Sequence, residues 1–158
     1  MENIVAKITI DEIDRKIIRA LSEDARMSVV QIADRVGLSA TPCKRRLKQL
    51  QDSGLIAGYT LRIDRMTAGF GITAYVNVEL ERQDADAISN FQKEVARFDE
   101  VVTGTLMTGA MDFQLEIWVE SLEEFENFLQ SKLMRLPGIR AIRSRFALKK
   151  FVERVRIP

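Results

Sequence analysis

The sequence contains no histidine and only one cysteine among its 158 residues. Histidine is the commonest general base and the commonest metal ligand in proteins, so its absence weighs against a hydrolase and against a metalloprotein. A single cysteine, Cys43, cannot form an internal disulfide or a zinc site. A redox switch at Cys43 is conceivable, but a small buried core thiol explains it better. We therefore expect no metal, no cofactor and no enzymatic activity.

Long hydrophobic runs are also missing. The longest stretch without a charged residue, from Met66 to Val78, has 13 residues and is too short to cross a bilayer. The first ten residues, "MENIVAKITI", contain neither a signal-like apolar core nor a cleavage site. With 46% hydrophobic and 30% charged residues, the composition favours a packed core over disorder. We expect a soluble, cytoplasmic protein with no membrane partner.

The formal net charge is only +1, but the charges are unevenly distributed. Residues 1–62 hold 11 Lys and Arg against 8 Asp and Glu, whereas residues 63–158 hold 13 against 15. The densest cationic cluster lies between Lys44 and Lys48, and no acidic residue stands between Ser39 and Gln51. A chain of this length can form two small domains. The cationic bias therefore belongs to the N-terminal part.

Three short helices are predicted in the first 62 residues. Asp11 is a candidate cap for the first helix, and Ser28 with Gln31 forms a capping box for the second. Gly37 is placed to end the second helix. The apolar stripe of the first helix comprises Ile13, Ile17 and Leu21 at helical spacing, extended by Ile10. The second helix buries Val29, Ile32, Ala33 and Val36.

The third helix lies in the stretch "GLSATPCKRRLKQL". Ser39 is its candidate N-cap, and Pro42 falls in the first turn, where a missing N–H costs little. Leu38 and Cys43 occupy the two positions of a hydrophobic staple, and Gly54 ends the helix. Its buried stripe comprises Cys43, Leu47 and Leu50. About three residues separate it from the second helix, which is the spacing of a helix-turn-helix.

A basic helix is most often a solvated surface, but this one is the second helix of a helix-turn-helix, the element that enters the major groove. Arg45 could read guanine, and Lys44 or Thr41 could touch bases or phosphates. Arg46, Lys48 and Gln49 suit phosphate contacts, which position without specifying. The predicted DNA-binding residues are Ser28, Gln31, Ser39, Thr41, Pro42, Lys44, Arg45, Arg46, Lys48 and Gln49. The run that follows, "LIAGYTLRI", predicts a wing or a linker strand.

The second part of the chain predicts the order β-α-β-β-α-β, which is ferredoxin-like. Two stretches alternate cleanly between apolar and polar residues, "ITAYVNVEL" and "FQLEIWV". Ser121 and Glu124 predict a capping box for the second helix. The two helices are predicted to bury Ile88, Phe91, Val95, Phe98, Leu122, Phe125, Leu129 and Leu133. The last strand carries Ile142, Phe146 and Leu148 on one side. Tyr75 and Trp118 would lie on the other sheet face, where a second subunit is the expected cover.

Two interpretations are open for the loop "MTGAMD", from Met107 to Asp112. One is a hairpin turn, with Gly109 at positive φ and Asp112 making a local hydrogen bond. The other is a ligand-binding site, and the resemblance to a known family implies that its ligand is an α-amino acid. Free backbone N–H groups around Gly109 would bind the carboxylate, and Asp112 would accept from the ammonium group.

The stretches "IDRKIIRALSEDARMSVVQIADRVGLS" and "LSATPCKRRLKQLQDSGLIAGYT" resemble the DNA-binding half of the Lrp/AsnC (feast/famine) transcription regulators. "LMTGAMDFQLEIWV" and "RLPGIRAIRSRFALKKF" resemble their amino-acid-binding domain. The resemblance covers nearly the whole chain. It implies an α+β fold, with a winged helix-turn-helix domain over residues 1–62 and a ferredoxin-like βαββαβ effector and oligomerisation domain over residues 63–158.

The same resemblance implies partners and site residues. It implies a homodimer formed through the sheet, assembly into an octamer as a tetramer of dimers, and double-stranded DNA as a partner. It implies a small effector, usually an amino acid, bound at the interface between dimers. The candidate effector-binding residues are Leu106, Met107, Thr108, Gly109, Asp112 and Leu122. The chain departs from the family pattern at Lys44, where an apolar residue is usual, and at Ala110 and Met111, where a polar or acidic residue is usual.

The leading hypothesis is a sequence-specific, ligand-responsive transcription regulator. The alternative is an architectural protein that wraps DNA with little sequence preference and no obligatory effector. A small ferredoxin-like enzyme is a third class, but we find no catalytic constellation for it.

Overall fold

The structure is a computed structural model that describes residues 9–158. The stretch "MENIVAKITI" is predicted to contain no signal sequence, and most of it lies outside the described residues. The chain forms two compact units, and the second of them runs from Ile63 to Phe151. The first unit ends at Arg62 and also includes Val152–Pro158. In the structure, these last seven residues group with the helical unit, where the Pro158 carbonyl accepts from Arg15 Nε at 2.9 Å.

The first unit contains three helices: α1 (Glu12–Glu23), α2 (Val29–Val36) and α3 (Ala40–Asp52). Asp11 caps α1 through a capping box with Asp14. The predicted box between Ser28 and Gln31 opens α2. Gly37 follows α2 with a φ of 74°, in the left-handed region that glycine adopts without strain. The three-residue connection between α2 and α3 confirms the helix-turn-helix.

A single apolar cluster holds these helices together. Its buried members are Ile17, Ile32, Ala33, Val36, Cys43 and Leu50. Leu38 packs against the same cluster, as the staple with Cys43 predicts. Each large apolar side chain buried here contributes about 1.5–3 kcal/mol to folding. Cys43 is fully buried, and this burial raises the pKa of its thiol.

The wing or linker strand predicted for "LIAGYTLRI" is not formed. Within residues 9–158, all strands lie in the second unit, and residues 55–63 are irregular. The pattern of this segment suits a strand, but a strand requires a partner for its backbone N–H and C=O groups. No described strand pairs with it. The β-propensity of these residues alone therefore gave the wrong local structure.

The second unit has the predicted βαββαβ order. Its elements are β1 (Ile72–Leu80), α4 (Ala85–Val95), β2 (Val101–Leu106), β3 (Phe113–Val119), α5 (Leu122–Ser131) and β4 (Ile139–Phe146). A short 3₁₀ turn, Leu133–Arg135, follows α5. The strands pair antiparallel in the order β2-β3-β1-β4. This arrangement confirms the ferredoxin-like prediction.

The sheet buries one face under the two helices. The buried strand residues are Ala74, Val76, Val78, Leu80, Phe113, Leu115, Ile117 and Val119, as the alternation predicts. Leu122 was predicted inside but is 61% exposed, because it is the first residue of α5. Phe128, which was not predicted, is 1% exposed and takes a central place in the core. Leu148 is 99% exposed because it lies beyond the end of β4.

The other sheet face is mostly uncovered within this unit. Tyr75 and Trp118 lie on it and are half-buried, on the side predicted from the alternation. The Phe70 ring lies 6.3 Å from that of Trp118 and covers one corner. Thr73, which pairs with Trp118, is 5% exposed. We refer to this surface as the open face.

Candidate DNA-binding helix and effector loop

Helix α3 presents two different faces. Cys43 and Leu50 are buried, and Leu47 is half-buried against the same core. The opposite face is exposed and comprises Thr41, Lys44, Arg45 and Lys48. The buried stripe therefore fixes the rotation of the helix, and the residues predicted to face DNA project into solvent.

The cations of this outer face are not consumed by structural ion pairs. Over residues 9–158, the side chains of Lys44 and Arg45 make neither a salt bridge nor a hydrogen bond. Lys48 Nζ lies 2.8 Å from Asp52 Oδ2, but both side chains are more than 60% exposed. Exposed pairs of this kind contribute at most about 1 kcal/mol, so Lys48 can exchange its partner for a phosphate.

Arg46 differs from the prediction that it contacts phosphate. Its Nη1 donates to Asp11 Oδ2 at 2.7 Å and to Asp14 Oδ1 at 2.9 Å. The hydrogen bonds from Arg46 to Asp14 and Asp11 raise the pKa of the guanidinium. The side chain is only 26% exposed. Arg46 therefore joins α3 to the start of α1 and holds the helix-turn-helix together.

The remaining predicted DNA contacts fall into two groups. Ser28 and Gln31 are exposed, but their side chains are engaged with each other's backbone N–H groups. Ser39 stands at the N-cap position of α3, yet its side chain makes no capping hydrogen bond. Pro42 is half-buried in the first turn, and Gln49 is exposed. Ser39 and Gln49 therefore have polar groups available to a ligand.

The loop between β2 and β3 is a hairpin connection. Met107 N–H donates to the Asp112 carbonyl at 2.7 Å, and Gly109 has a φ of 116°. This φ lies in the region that favours glycine. In the described chain, the backbone N–H groups of Thr108 and Ala110 donate to no protein acceptor. The loop thus has the predicted turn geometry and also offers free backbone donors.

Asp112 does not face a ligand. It is 8% exposed. Its Oδ2 accepts from Leu80 N–H at 2.7 Å, and its Oδ1 accepts from Gln83 Nε2 at 2.8 Å. The predicted role as acceptor for an ammonium group is therefore not supported, because the carboxylate ties the hairpin to the end of β1. The sequence analysis did not predict the contact of Gln83 with Asp112, because only the position of Gln83 just after β1 could have suggested it.

Leu122 is separated from the other predicted effector residues within one chain. The loop precedes β3, and Leu122 follows the far end of that strand. The seven residues of β3 span about 23 Å at strand spacing. Leu106 and Met107, by contrast, flank the loop and are 51% and 43% exposed. A single chain therefore brings together residues 106–110 but not Leu122 or the Asp112 carboxylate.

Each of the two units matches a known protein family. Residues 73–157 match the Lrp/AsnC ligand binding domain, and residues 10–57 match a winged helix-turn-helix DNA-binding domain. The chain belongs to the Lrp/AsnC family. As a member of this family, it is a DNA-binding transcription regulator with a ligand-binding domain.

Named relatives that align with this chain over nearly their whole length are transcription regulators. The Bkd operon transcriptional regulator of Pseudomonas aeruginosa is 37% identical over 145 residues, covering 92% of this chain and 95% of the relative. A leucine-responsive regulatory protein of Rhizobium meliloti is 30% identical over 146 residues, covering 92% of this chain and 94% of the relative. The named relatives are regulators rather than enzymes.

A solved Lrp/AsnC-like structure supports the same fold. A transcriptional regulator from Neisseria meningitidis, solved as a complex with L-Met, superposes with a TM-score of 0.89 at 31% identity. The match covers 95% of this chain and 97% of that chain. In residues 9–158, no helix is long and apolar enough to span a membrane, and no cluster of metal-ligating side chains is present.

Proposed function

We propose that the chain recognises a specific DNA sequence through α3 and that an amino-acid effector changes its DNA affinity or its assembly. The observation that carries the proposal is the outer face of α3. Two unpaired cations, Lys44 and Arg45, stand there on the second helix of a helix-turn-helix, with no acid between Ser39 and Gln51. The major groove accepts such a helix.

The residues of this face take different roles. Arg45 is the candidate for a bidentate contact to guanine, since its guanidinium matches the two acceptors of that base. Thr41 and Lys44 lie nearer the N-terminal end of α3 and suit further base or phosphate contacts. Lys48 and Gln49 suit phosphates, which set the position of the helix without reading sequence. Lys44 adds a cation where the family usually has an apolar residue.

A binding assay on DNA upstream of the chain's own gene and its neighbours tests the proposal. Specific binders prefer their site over random DNA by roughly 10³–10⁷. We expect a ratio in this range at a fixed salt concentration, and a change in affinity with at least one amino acid. A ratio near one, with affinity that falls steeply with salt, would instead indicate the architectural alternative.

The effector site is proposed at the loop of residues 106–110. Free backbone N–H groups of Thr108 and Ala110 can donate to a carboxylate, and Leu106 and Met107 offer exposed apolar surface to a side chain. A relative was solved with L-Met, which is consistent with an amino acid here. The ammonium group needs another acceptor, because Asp112 is turned inward, and a neighbouring copy is where we place it.

Calorimetry with a panel of amino acids tests this site. We expect Met107→Ala to weaken binding of the best ligand. Met66→Ala is the matched control, because Met66 is 61% exposed and precedes β1, at the other end of the sheet. Equal affinity in wild type and both variants would remove the loop from the site.

The assembly proposed here is a homodimer through the open face, with dimers associating into an octamer. Tyr75 and Trp118 stay partly exposed on a sheet face that the sheet unit itself leaves mostly uncovered, and this supports the dimer. The Leu122 side chain, remote from the loop in its own chain, would reach it only from another copy. Light scattering over a concentration series measures the masses directly, and a monomer at all concentrations would contradict the proposal. We place the regulator in the cytoplasm, with its DNA.

A further inference from the structure

The charges of the second part of the chain are segregated along the sequence. Residues 63–138 hold six Lys and Arg against fourteen Asp and Glu, whereas residues 139–158 hold seven against one. A count over the whole second part conceals this, because the two stretches nearly cancel. The excess of cations in residues 139–158 is larger than the excess in residues 1–62, which hold 11 against 8.

The cations of residues 139–158 form two sets. In the first set, Arg140 Nη1 lies 3.1 Å from Glu79 Oε1. Arg143 and Arg145 stand on the open face, with Arg145 opposite Tyr75, where the dimer proposed above would cover them. The second set follows β4 in an exposed segment without regular secondary structure, and it comprises Lys149, Lys150, Arg154 and Arg156.

The end of this segment belongs to the unit that carries α3. Val152–Pro158, which we call the basic tail, group with the three helices. At one end of the tail, Arg62 Nη2 lies 3.1 Å from Glu153 Oε2. At the other end, Arg15 Nε donates to the Pro158 carbonyl at 2.9 Å. The tail is therefore held at both ends against the helix-turn-helix unit.

The basic tail ends beside the turn of α1 that also holds α3. Arg15, its contact, lies in the first turn of α1. The neighbouring Asp14 accepts from Arg46 Nη1 of α3 at 2.9 Å. Arg156 is two residues from Pro158, which is at most about 7 Å along an extended chain. The basic tail therefore brings a cation close to the turn that anchors α3.

The arginines of the basic tail have no structural task within the chain. Arg154 and Arg156 are exposed, and over residues 9–158 neither side chain makes a hydrogen bond or an ion pair. The ion pair that holds the tail joins side chains that are 81% exposed in Arg62 and 49% exposed in Glu153. Exposed pairs contribute little to stability, so the tail can move to meet a polyanion.

The helix-turn-helix itself offers few phosphate contacts. About half to two-thirds of protein–DNA hydrogen bonds go to phosphate and sugar. Arg46 is engaged by α1, which leaves Lys48 and Gln49 for phosphates in the docking proposed above. Residues 55–63, where a wing was predicted, form no strand and contain one charged residue, Arg62. The basic tail supplies cations that this region lacks.

We propose that the basic tail is a second DNA contact, which binds the phosphate backbone beside the site that α3 reads. The inference rests on the DNA-binding role proposed for α3. Once α3 is docked, the flanking duplex is presented to the tail at a high effective concentration, so individually weak contacts add to the affinity. Phosphates carry no sequence information. The tail therefore strengthens binding to every sequence alike.

Salt titrations of the full chain on a duplex with long flanks test the tail. The double variant Arg154→Ala/Arg156→Ala should bind the upstream site and random DNA more weakly by the same factor. Its loss of affinity between about 50 and 200 mM salt should be roughly tenfold smaller than that of the wild type, as expected for two phosphate contacts removed. Arg154→Lys/Arg156→Lys should keep the wild-type salt slope, because lysine also binds phosphate.

Arg135→Ala is the matched control. Arg135 is an exposed arginine of the sheet unit and, in the described part of the chain, it has no ion pair. Its replacement removes one positive charge and should leave the salt slope unchanged. A reduction for Arg135→Ala as large, per charge removed, as that of the double alanine variant would overturn the proposal, because the effect would then reflect net charge alone.

The length of the duplex provides a second test. A duplex trimmed to the site of α3 should abolish the difference between the wild type and the double alanine variant, because the flanking phosphates are gone. An unchanged salt slope on the long duplex, or a loss confined to one sequence, would overturn the proposal. An unchanged slope together with altered molecular mass, or with lost binding to anionic lipid vesicles, would assign the tail to another copy or to a membrane surface instead.

The same measurements separate the tail from the function proposed for α3. A wild type that prefers no upstream site would refute sequence reading by α3, while the salt slope on random DNA still tests the tail. A clear preference with equal slopes in the wild type and the double alanine variant would refute the tail contact and leave the role of α3 standing.

Discussion

The helical unit and the sheet unit expose their predicted functional residues to different degrees. In the helical unit, the cations Lys44 and Arg45 of α3 project outward, as helical periodicity predicts. In the sheet unit, Asp112 is buried and Leu122 lies at the far end of β3 from the loop. A helix face is set by local sequence, whereas the surroundings of a loop carboxylate are set by strands distant in the sequence. The predicted DNA-contacting side chains of α3 therefore project together from one chain, whereas the predicted effector-binding residues do not come together within one chain.

The largest effects are expected from the two cores. Ile17 and Ile117 are both 0% exposed, one in each unit. Replacing either with alanine should cost about 2–5 kcal/mol, from lost burial and the cavity left behind. Trp118 is the only tryptophan and lies in the sheet unit, so urea unfolding followed by its fluorescence reports that unit. Ile117→Ala should shift this transition strongly.

Ile17→Ala should instead shift the transition seen by far-ultraviolet circular dichroism and leave most of the Trp118 transition in place. Equal shifts in both signals for both variants would show that the two units unfold as one, which would end the comparison between them.

The Asp112 carboxylate is expected to matter for folding rather than for ligand contact. Asp112→Ala leaves the buried Leu80 N–H without its acceptor, which costs about 1–3 kcal/mol. The Trp118 fluorescence transition should move to lower urea. Folded Asp112→Ala protein, held below that transition, should still bind the amino acid; complete loss of binding by well-folded protein would return Asp112 to the site.

These outcomes show which features the sequence predicts well. The caps at Asp11 and Ser28 and the α3 stripe depend on residues within a few positions, and they were predicted. Two features depend on residues that are distant in the sequence. Arg46 is engaged by carboxylates at the start of α1. Residues 55–63 form no strand because no described strand pairs with them. Their surroundings are decided by tertiary contacts, and sequence patterns could not reveal them.

Arg46 and its neighbours on α3 should behave differently when replaced. Arg46→Ala removes the link to Asp11 and Asp14, so the melting temperature of the helical unit should fall. The salt dependence of DNA binding should stay the same, because Arg46 is engaged inside the unit. Lys48→Ala should show the reverse, with an unchanged melting temperature and a salt slope reduced by about one. A reduced salt slope for Arg46→Ala would instead support the original prediction that Arg46 contacts a phosphate.

The smallest effect concerns pH and the caps of the two units. Backbone hydrogen bonds, from Asp14 to Asp11 and from Ala87 to Asp84, hold the pKa of each carboxyl below its ordinary value. Such a group stabilises the fold above its unfolded pKa, and this stability is lost as the pH falls through the lower, folded pKa. Both units should therefore lose a little stability below about pH 4.

Asp11→Asn and Asp84→Asn should each flatten this acid dependence in their own unit alone. Melting curves between about pH 7 and pH 3 provide the measurement. Unaltered pH dependence in both variants would exclude these caps as its source.

The central claim is that the outer face of α3 reads DNA sequence, and Arg45 tests it most directly. Affinities of wild type and Arg45→Ala should be measured at one salt concentration on an upstream site, on that site with single base changes, and on random DNA. We predict that Arg45→Ala loses about 1–3 kcal/mol of discrimination at one base position, and that the other positions keep theirs. An equal loss of affinity on every sequence, or no loss at all, would contradict the account.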